Sequence, residues 1–461
     1  MIAGMATGIV TNARLTHATP AALYAHAPNR YWEDDSKVPV ESRRTCKDIA
    51  RQLIEDSPGK DINVMLHVIL GGGRRHWERE GRRLDGRNLV DDWLRDKRRR
   101  GLLAHYVETA EELSQLNTRH LDYLLGLIND QKSDVIVGIF APSHMSFELD
   151  RKLSPGDEPS LSEMVTTAIR LLRRNSRGFL LVVEGTDTLT LAKATARLAT
   201  WSPRPGRCDQ VAVVYYIDSY EGGHAWRPAT ATDFKTLSSQ AWPVTTKSIP
   251  RDLVAASWSR RPGRKPGRSL SHKRPPKKGG RIDHASHYNN AYRVLDETLS
   301  LESAVLVALS EVDAAETLVV VTSDHSNMLT LGGLSTTRGN AIFGLKIKNK
   351  VNSNHTCPVF PGYDSVMSDV DGRPYSTLQF ANGPKFSPGR VSARNSAVPL
   401  KWATHGGEDV PVFTRGPMAD LLFTGTFDQS YIPHAIAFAA CLGEHKKRCS
   451  VHAKNYTLLD C

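Results

Sequence analysis

Four apolar runs of strand length, at residues 62–70, 134–140, 178–183 and 317–321, alternate with segments at 161–172 and 288–309 whose apolar residues return at helical spacing. In the second segment Val294, Leu295, Leu299, Leu301, Val305 and Leu309 fall on one side of a helix. Near-continuous apolar strands are buried on both faces, and strands alternating with helices build βαβ units. The pattern predicts an α/β chain, a three-layer α/β/α sandwich around a mainly parallel sheet. Residues 351–390, rich in Pro, Gly, Ser and Asn, read as a loop-rich cap.

Residues 186–279 break the alternation. They hold W-S-P-R-P-G-R at 201–207 and R-R-P-G-R-K-P-G-R at 260–268, with one strand-like run at 211–217. Charge concentrates there as well. The chain carries a formal net +11 over 461 residues, and ten Lys or Arg against one acid in residues 251–278 supply nine of it, so the remainder is close to neutral. Dense like charge with little apolar content predicts a basic, Pro/Arg-rich insertion, largely disordered in its second half. A polyanion-binding arm is the competing reading, and the run lacks the interleaved aromatic residues on which bases stack. The organisation that follows is one discontinuous α/β domain, 1–185 with 280–461, interrupted by 186–279.

At 40% hydrophobic and 24% charged residues the chain is globular. No stretch reaches the roughly 18 consecutive apolar residues of a membrane span, and residues 1–10 lack the charged start and long apolar run of a secretory signal. The six cysteines, Cys46, Cys208, Cys357, Cys441, Cys449 and Cys461, follow no zinc-finger or C-x-x-C spacing, which argues against metal held by thiolate. Cys441 and Cys449 flank a short charged turn that a disulfide could close. Sequons at Asn354 and Asn455 fit an extracellular glycoprotein and also arise by chance.

Oxygen and imidazole groups gather just beyond the strand-like runs. The run 178–183 ends in Glu184, and 317–321 passes through Thr322 and Ser323 into Asp324 and His325. Ile9-Val10 leads into T-N-A-R-L-T-H-A-T, which holds His17 and Thr19, while His405 in T-H-G-G-E-D-V stands shortly before the apolar run 410–413. In open α/β sheets the carboxyl ends of the strands open on one crevice, so these residues can converge. Asp283 and His287, four apart at a helix start, share a face. Carboxylate with imidazole suits Zn²⁺, and carboxylate with hydroxyl, as Glu184 with Thr19, suits Mg²⁺. Two such ions roughly 4 Å apart can clamp the attacking and leaving oxygens of a phosphoryl group. Singly each piece is ordinary: an Asp-His pair on a helix side is a common ion pair, and a His before two glycines is a common turn. Their joint placement after strand ends is what points to a metal site.

The motifs V-E-G, G-G-R-I-D-H-A-S-H, T-S-D-H-S and T-H-G-G-E-D-V occur in an order that resembles the animal alkaline phosphatases. So do T-H-A-T-P-A-A-L-Y-A-H-A-P-N-R at 16–30, L-D-G-R-N-L-V at 84–90 and A-F-A-A-C at 437–441, and the likeness covers residues 7–185 and 280 to about 450. The resemblance implies one zinc held by Asp283, His287 and His405, a second by Asp324 and His325, and magnesium by Glu184 and Thr19. It implies that His17 lies near the magnesium and that Arg30 binds the substrate phosphate, a role suited to a planar fork that donates two parallel hydrogen bonds. The activity implied is hydrolysis of phosphate monoesters through a phosphoserine, with two zinc ions and one magnesium. A homodimer, extracellular or cell-surface placement, membrane contact only through a lipid anchor, and no specific nucleic acid complete the expectation.

Several features depart from the family pattern. The family's serine nucleophile lies in a D-S-A-type motif upstream of T-H-A-T-P, with a further Asp ligand upstream of that, and neither stands in this chain. The expectation for this polypeptide is therefore little or no hydrolysis, and the competing function is a catalytically dead relative that binds ligands at the cell surface. Residues 186–279 separate Glu184 from Asp283, which relatives carry close together; closing such a loop costs only about 3 kcal/mol, so the site can still assemble. Translated unspliced sequence is the other account of that stretch. Asn327 stands where many relatives have His, which bears on substrate contacts, and Ala141 where vertebrate relatives have Glu, which puts the family's calcium site in doubt. Cys46 resembles a family cysteine whose disulfide partner lies further upstream, which leaves a free thiol. The last residues, Leu459-Asp460-Cys461, lack the hydrophobic tail of an anchor signal.

Overall fold

The computed structural model describes residues 5–60, 67–118, 134–153, 156–175, 177–185, 211–216, 282–331, 363–367, 374–376, 378–384 and 396–445. Its first half runs β1 (Ala6–Arg14), α1 (Ala18–Ala22), α2 (Ile49–Glu55), β2 (His67–Gly72), α3 (Leu89–Arg99), β3 (Leu103–Val107), α4 (Ala110–Thr118), β4 (Asp134–Ile139), α5 (Glu148–Leu153), α6 (Leu161–Leu172), β5 (Phe179–Glu184) and β6 (Val211–Tyr216). The second continues with α7 (Ile282–His287), α8 (Ala291–Glu311), β7 (Thr317–Val321), β8 (Leu329–Leu331), β9 (Tyr363–Met367), β10 (Pro374–Ser376), β11 (Leu378–Gly383), β12 (Ser396–Pro399), β13 (Phe413–Arg415), α9 (Ala419–Leu422) and α10 (Tyr431–Ala439).

Eight strands form one sheet in the order β13-β7-β6-β5-β1-β2-β4-β3. β1 to β7 pair in parallel, and only β13 runs antiparallel, against β7 at the edge. Period-two alternation distributes the apolar residues of each strand over two cores. On one face Ala6 and Val10 of β1, Val68 and Leu70 of β2 and Ile136 of β4 pack with Met164, Val165 and Ala168 of α6 and Leu301, Ala304 and Val305 of α8. On the other Ile9, Ile69, Val135 and Val137 pack with Leu53 and Ile54 of α2 and Leu89, Val90 and Trp93 of α3. Leu318 and Val320 of β7 meet Ala419 of α9 and Ile432 and Ile436 of α10 on a further patch. Helices on both faces of a mainly parallel sheet make the α/β/α sandwich that the apolar pattern predicts.

The boundaries differ from the sequence reading in three places. T-N-A-R, read as a loop after Ile9-Val10, is the second half of β1, because parallel partners flank it as far as Thr11↔Glu184 and Arg14↔Gly72. The helix read over 288–309 is α8, which begins only at Ala291: after α7, Asn289 takes a left-handed φ of 51° and Asn290 caps α8 by accepting from the Arg293 N–H. The region read as a loop-rich cap contributes strands where it is described. β9 pairs with β10, and β11 lies between β12 and β8, with Leu378 and Phe380 buried on its inner face. That small sheet packs against Ile282 and Ala285, which seats α7. Within 186–279 only β6 is described, and its backbone pairs in parallel with both β5 and β7. The basic run 251–278 lies outside the described residues.

Cys46 is a free thiol, half-buried. Cys441 is disulfide-bonded, and Cys449 lies outside the described residues. Among the described residues no helix is long and apolar enough to cross a membrane.

Candidate metal centre

The parallel strands bring their carboxyl ends to one edge, and the reactive groups follow those ends. β5 finishes at Glu184, β7 is followed by Asp324 and His325, and β1 leads directly to His17, the residue that precedes α1. Asp283 and His287 stand one turn apart on α7, whose apolar side, Ile282 and Ala285, faces the small sheet. His405 is placed by a β-bridge with Asn327.

Asp283, His287 and His405 converge. His287 Nε2 lies 3.2 Å from one carboxylate oxygen of Asp283 and His405 Nε2 3.5 Å from the other. The two Nε2 atoms are 3.3 Å apart. Three ligands about 2 Å from one tetrahedral ion sit about 3.3 Å from each other, so the spacing is compatible with a single tetrahedral cation such as zinc. The tautomers agree. His287 Nδ1–H donates to the Ala403 carbonyl at 2.7 Å, which leaves a lone pair on Nε2 aimed at Asp283. Asp283 is 1% exposed, and neither of its oxygens has a hydrogen bond. Burial pushes its carboxyl up, but whenever the facing imidazoles carry a proton in place of a metal, His287 and, behind it, His405 and His325 pull it below the ordinary range.

Asp324 and His325 adjoin this set. The His325 ring stacks on His405 with centroids 3.7 Å apart and planes at 15°. His325 Nδ1–H donates to the Ser326 carbonyl at 2.9 Å, and its Nε2 stands 3.5 Å from Asp324. Glu184, 2% exposed, accepts a short hydrogen bond from the Thr11 hydroxyl across the β1–β5 pair. Thr19 is the second residue of α1, half-buried, and no hydrogen bond joins it to Glu184. His17 and Arg30 are in contact: Arg30 Nη2 donates to His17 Nε2 at 3.2 Å. Asn327 is buried at 3% and meets His405 through the backbone bridge.

His284 and His144 escaped the sequence reading. Their rings lie 5.8 and 5.1 Å from that of His17 and 5.3 Å from each other. Both had a positional signal, His284 within R-I-D-H-A-S-H and His144 in the loop after β4. Three imidazoles can hold a metal, but here the hydrogen bonds point the other way. The Arg14 backbone N–H donates to His144 Nδ1 at 3.1 Å while the Arg14 guanidinium abuts Nε2, and Arg30 donates to His17 Nε2. A ligand imidazole needs an acceptor behind it, as His287 has, so this cluster suits an anion rather than a cation. Glu33, 8% exposed, anchors it by taking Arg14 at 2.5 and 2.8 Å and the Thr16 hydroxyl at 2.7 Å. Burial raises the Glu33 carboxyl, but Arg14 and His76 outweigh it and hold it below the usual range.

A family model described as alkaline phosphatase matches residues 1–190 and 277–442. The chain is 34% identical over 480 residues to the tissue-nonspecific alkaline phosphatase isozyme of Gallus gallus, covering 98% of this chain and 66% of that protein. It is 31% identical to the alkaline phosphatase of Gadus morhua, covering 96% of this chain and 71% of that one. It thus spans about two thirds of the length of these relatives. Among solved structures, the alkaline phosphatase of the Antarctic bacterium TAB5 aligns at 18% identity and a TM-score of 0.45 over 96% of this chain and 73% of that one. The family match and the two animal relatives show that the chain belongs to the alkaline phosphatase family of animals.

Proposed function

We propose that this chain carries the metal- and phosphate-binding part of a phosphomonoesterase site. One observation carries the reading: the buried Asp283 carboxylate, without hydrogen bonds, faces His287 Nε2 and His405 Nε2 at 3.2 and 3.5 Å. Asp283, His287 and His405 would hold one zinc, Asp324 and His325 a second, and Glu184 with Thr19 the magnesium. Bound there, such ions supply Lewis acidity that neutralises charge on phosphoryl oxygens. Arg30 binds the phosphate through its fork, and His17, in contact with Nη2 of Arg30, orients it. His284 and His144 line the same side, so an incoming phosphate meets imidazole and guanidinium on that wall.

Three serines beside the proposed ligands are committed elsewhere. Ser286 donates to the Ile282 carbonyl at 3.0 Å, Ser323 to the His325 carbonyl at 2.6 Å and Ser326 to Glu408 at 2.5 Å. Residues 1–461 hold no D-S-A motif, and we propose that these residues by themselves bind metal and phosphate with little or no turnover. By its likeness to the family we further propose an extracellular or cell-surface homodimer. Calorimetric titration with zinc and then inorganic phosphate, beside an assay on a chromogenic phosphate ester, tests the proposal. The expected result is zinc binding, phosphate binding that Arg30→Ala weakens about 100-fold with zinc retained, and negligible hydrolysis. Phosphate affinity indifferent to Arg30 would sink the phosphate assignment, and rapid hydrolysis the claim of inactivity.

A further inference from the structure

Besides Asp283 and His287 on α7, the ligands of the two proposed zinc sites come from two loops far apart in sequence, the one after β7 with Asp324 and His325 and the one before β13 with His405. Ser326 is where they meet. Its carbonyl accepts His325 Nδ1–H at 2.9 Å and the Gly406 N–H at 2.8 Å. Its hydroxyl, on a residue 9% exposed, donates at 2.5 Å to the carboxylate of Glu408. The adjacent Asn327 bridges His405, and the His325 and His405 rings stack at 3.7 Å. Gly406 lies so close beneath this junction that a Cβ there would overlap both Ser326 Oγ and the Glu408 carboxylate.

We infer that Glu408 is a positioning residue that couples the two halves of the metal centre, latching the His405 loop to the Asp324–His325 loop through Ser326. Among the described residues the side-chain hydrogen bond of Glu408 goes to Ser326, not to Asp283 or a ligand ring. Its effect passes through one hydroxyl, to the residue whose carbonyl fixes the His325 tautomer and holds Gly406 beside His405. Groups that orient metal ligands set affinity nearly as strongly as the ligands themselves. The Glu408 carboxylate lies at the surface, so its replacement disturbs the cores little.

The inference rests on the metal-centre reading above, and the test separates the two. The full chain, stripped of metal, is titrated with zinc against a competing chelator as wild type, Glu408→Ala, Glu408→Gln, Ser326→Ala and the Ser326→Ala/Glu408→Ala double variant. Glu408→Ala is expected to weaken zinc affinity about tenfold with the metal-free melting temperature unchanged. Glu408→Gln restores most of the loss, because its amide oxygen still accepts the Ser326 hydroxyl. The double variant is expected to be no weaker than either single one, since both remove the same link. Wild-type affinity in Glu408→Ala overturns the inference, and so does a Glu408→Gln as weak as Glu408→Ala, which would make the effect one of charge rather than of geometry. A wild-type chain that takes up no zinc overturns the metal-centre reading itself.

Discussion

Asp283 and His287 were legible from residue spacing, since positions four apart on a helix share a face. His405 was placed by its motif, and the structure brings its Nε2 to 3.3 Å from that of His287. His144 was missed because an isolated His gives no pattern; its one signal was its place beyond the strand-like run 134–140. The loop after α1 illustrates what residue chemistry adds to pattern. Asp34 is fully buried against His76 Nδ1 at 2.6 Å. Burial alone would raise its carboxyl, yet hydrogen bonds from His76 and Ser36 bring it to about 2. A carboxylate depressed on folding stabilises above its unfolded value near 4 and loses that contribution as pH falls toward its folded value. Asp34→Asn should therefore cost about 2 kcal/mol near pH 6, with the gap to wild type closing as pH drops from about 5 to 2. Urea midpoints measured across that range decide it, and a gap that does not narrow would contradict the assignment.

At the scale of elements, continuous apolar runs announced the parallel strands, because residues buried on both faces leave little choice of side chain. The extent of β1 was not legible: Thr11, Asn12 and Arg14 are polar, and only pairing with β2 and β5 keeps them in the strand. The start of α8 was set too early by its apolar period, although Asn289-Asn290 ahead of it is a turn signal. Asn289 tolerates the left-handed conformation, and its side-chain amide donates to the Asn382 and Pro384 carbonyls at 3.3 and 3.4 Å, tying the helix junction to β11. Asn289→Ala should destabilise the chain by roughly 2 kcal/mol, from backbone strain plus lost hydrogen bonds. Asn289→Gly should cost less, because it keeps the backbone at ease. Equal losses in denaturant unfolding would show that the side-chain bonds alone matter.

For the whole molecule, the sandwich positions the groups proposed to hold metal. Parallel strands deliver Glu184, Asp324 and His17 to one edge, and the small sheet seats α7 so that Asp283 faces His405. The sequence made this architecture readable through its apolar periodicity. It could not make readable that a strand within 186–279, Val211–Tyr216, joins the main sheet, since a short apolar run amid Pro and Arg carries no record of its partners. The central claim is that Asp283, His287 and His405 share a divalent cation. Anomalous diffraction at the zinc absorption edge, from crystals of this chain grown with zinc, tests it most directly. The expected result is a peak about 2 Å from an Asp283 oxygen and from Nε2 of both histidines; zinc bound elsewhere, with these three side chains left bare, would contradict it.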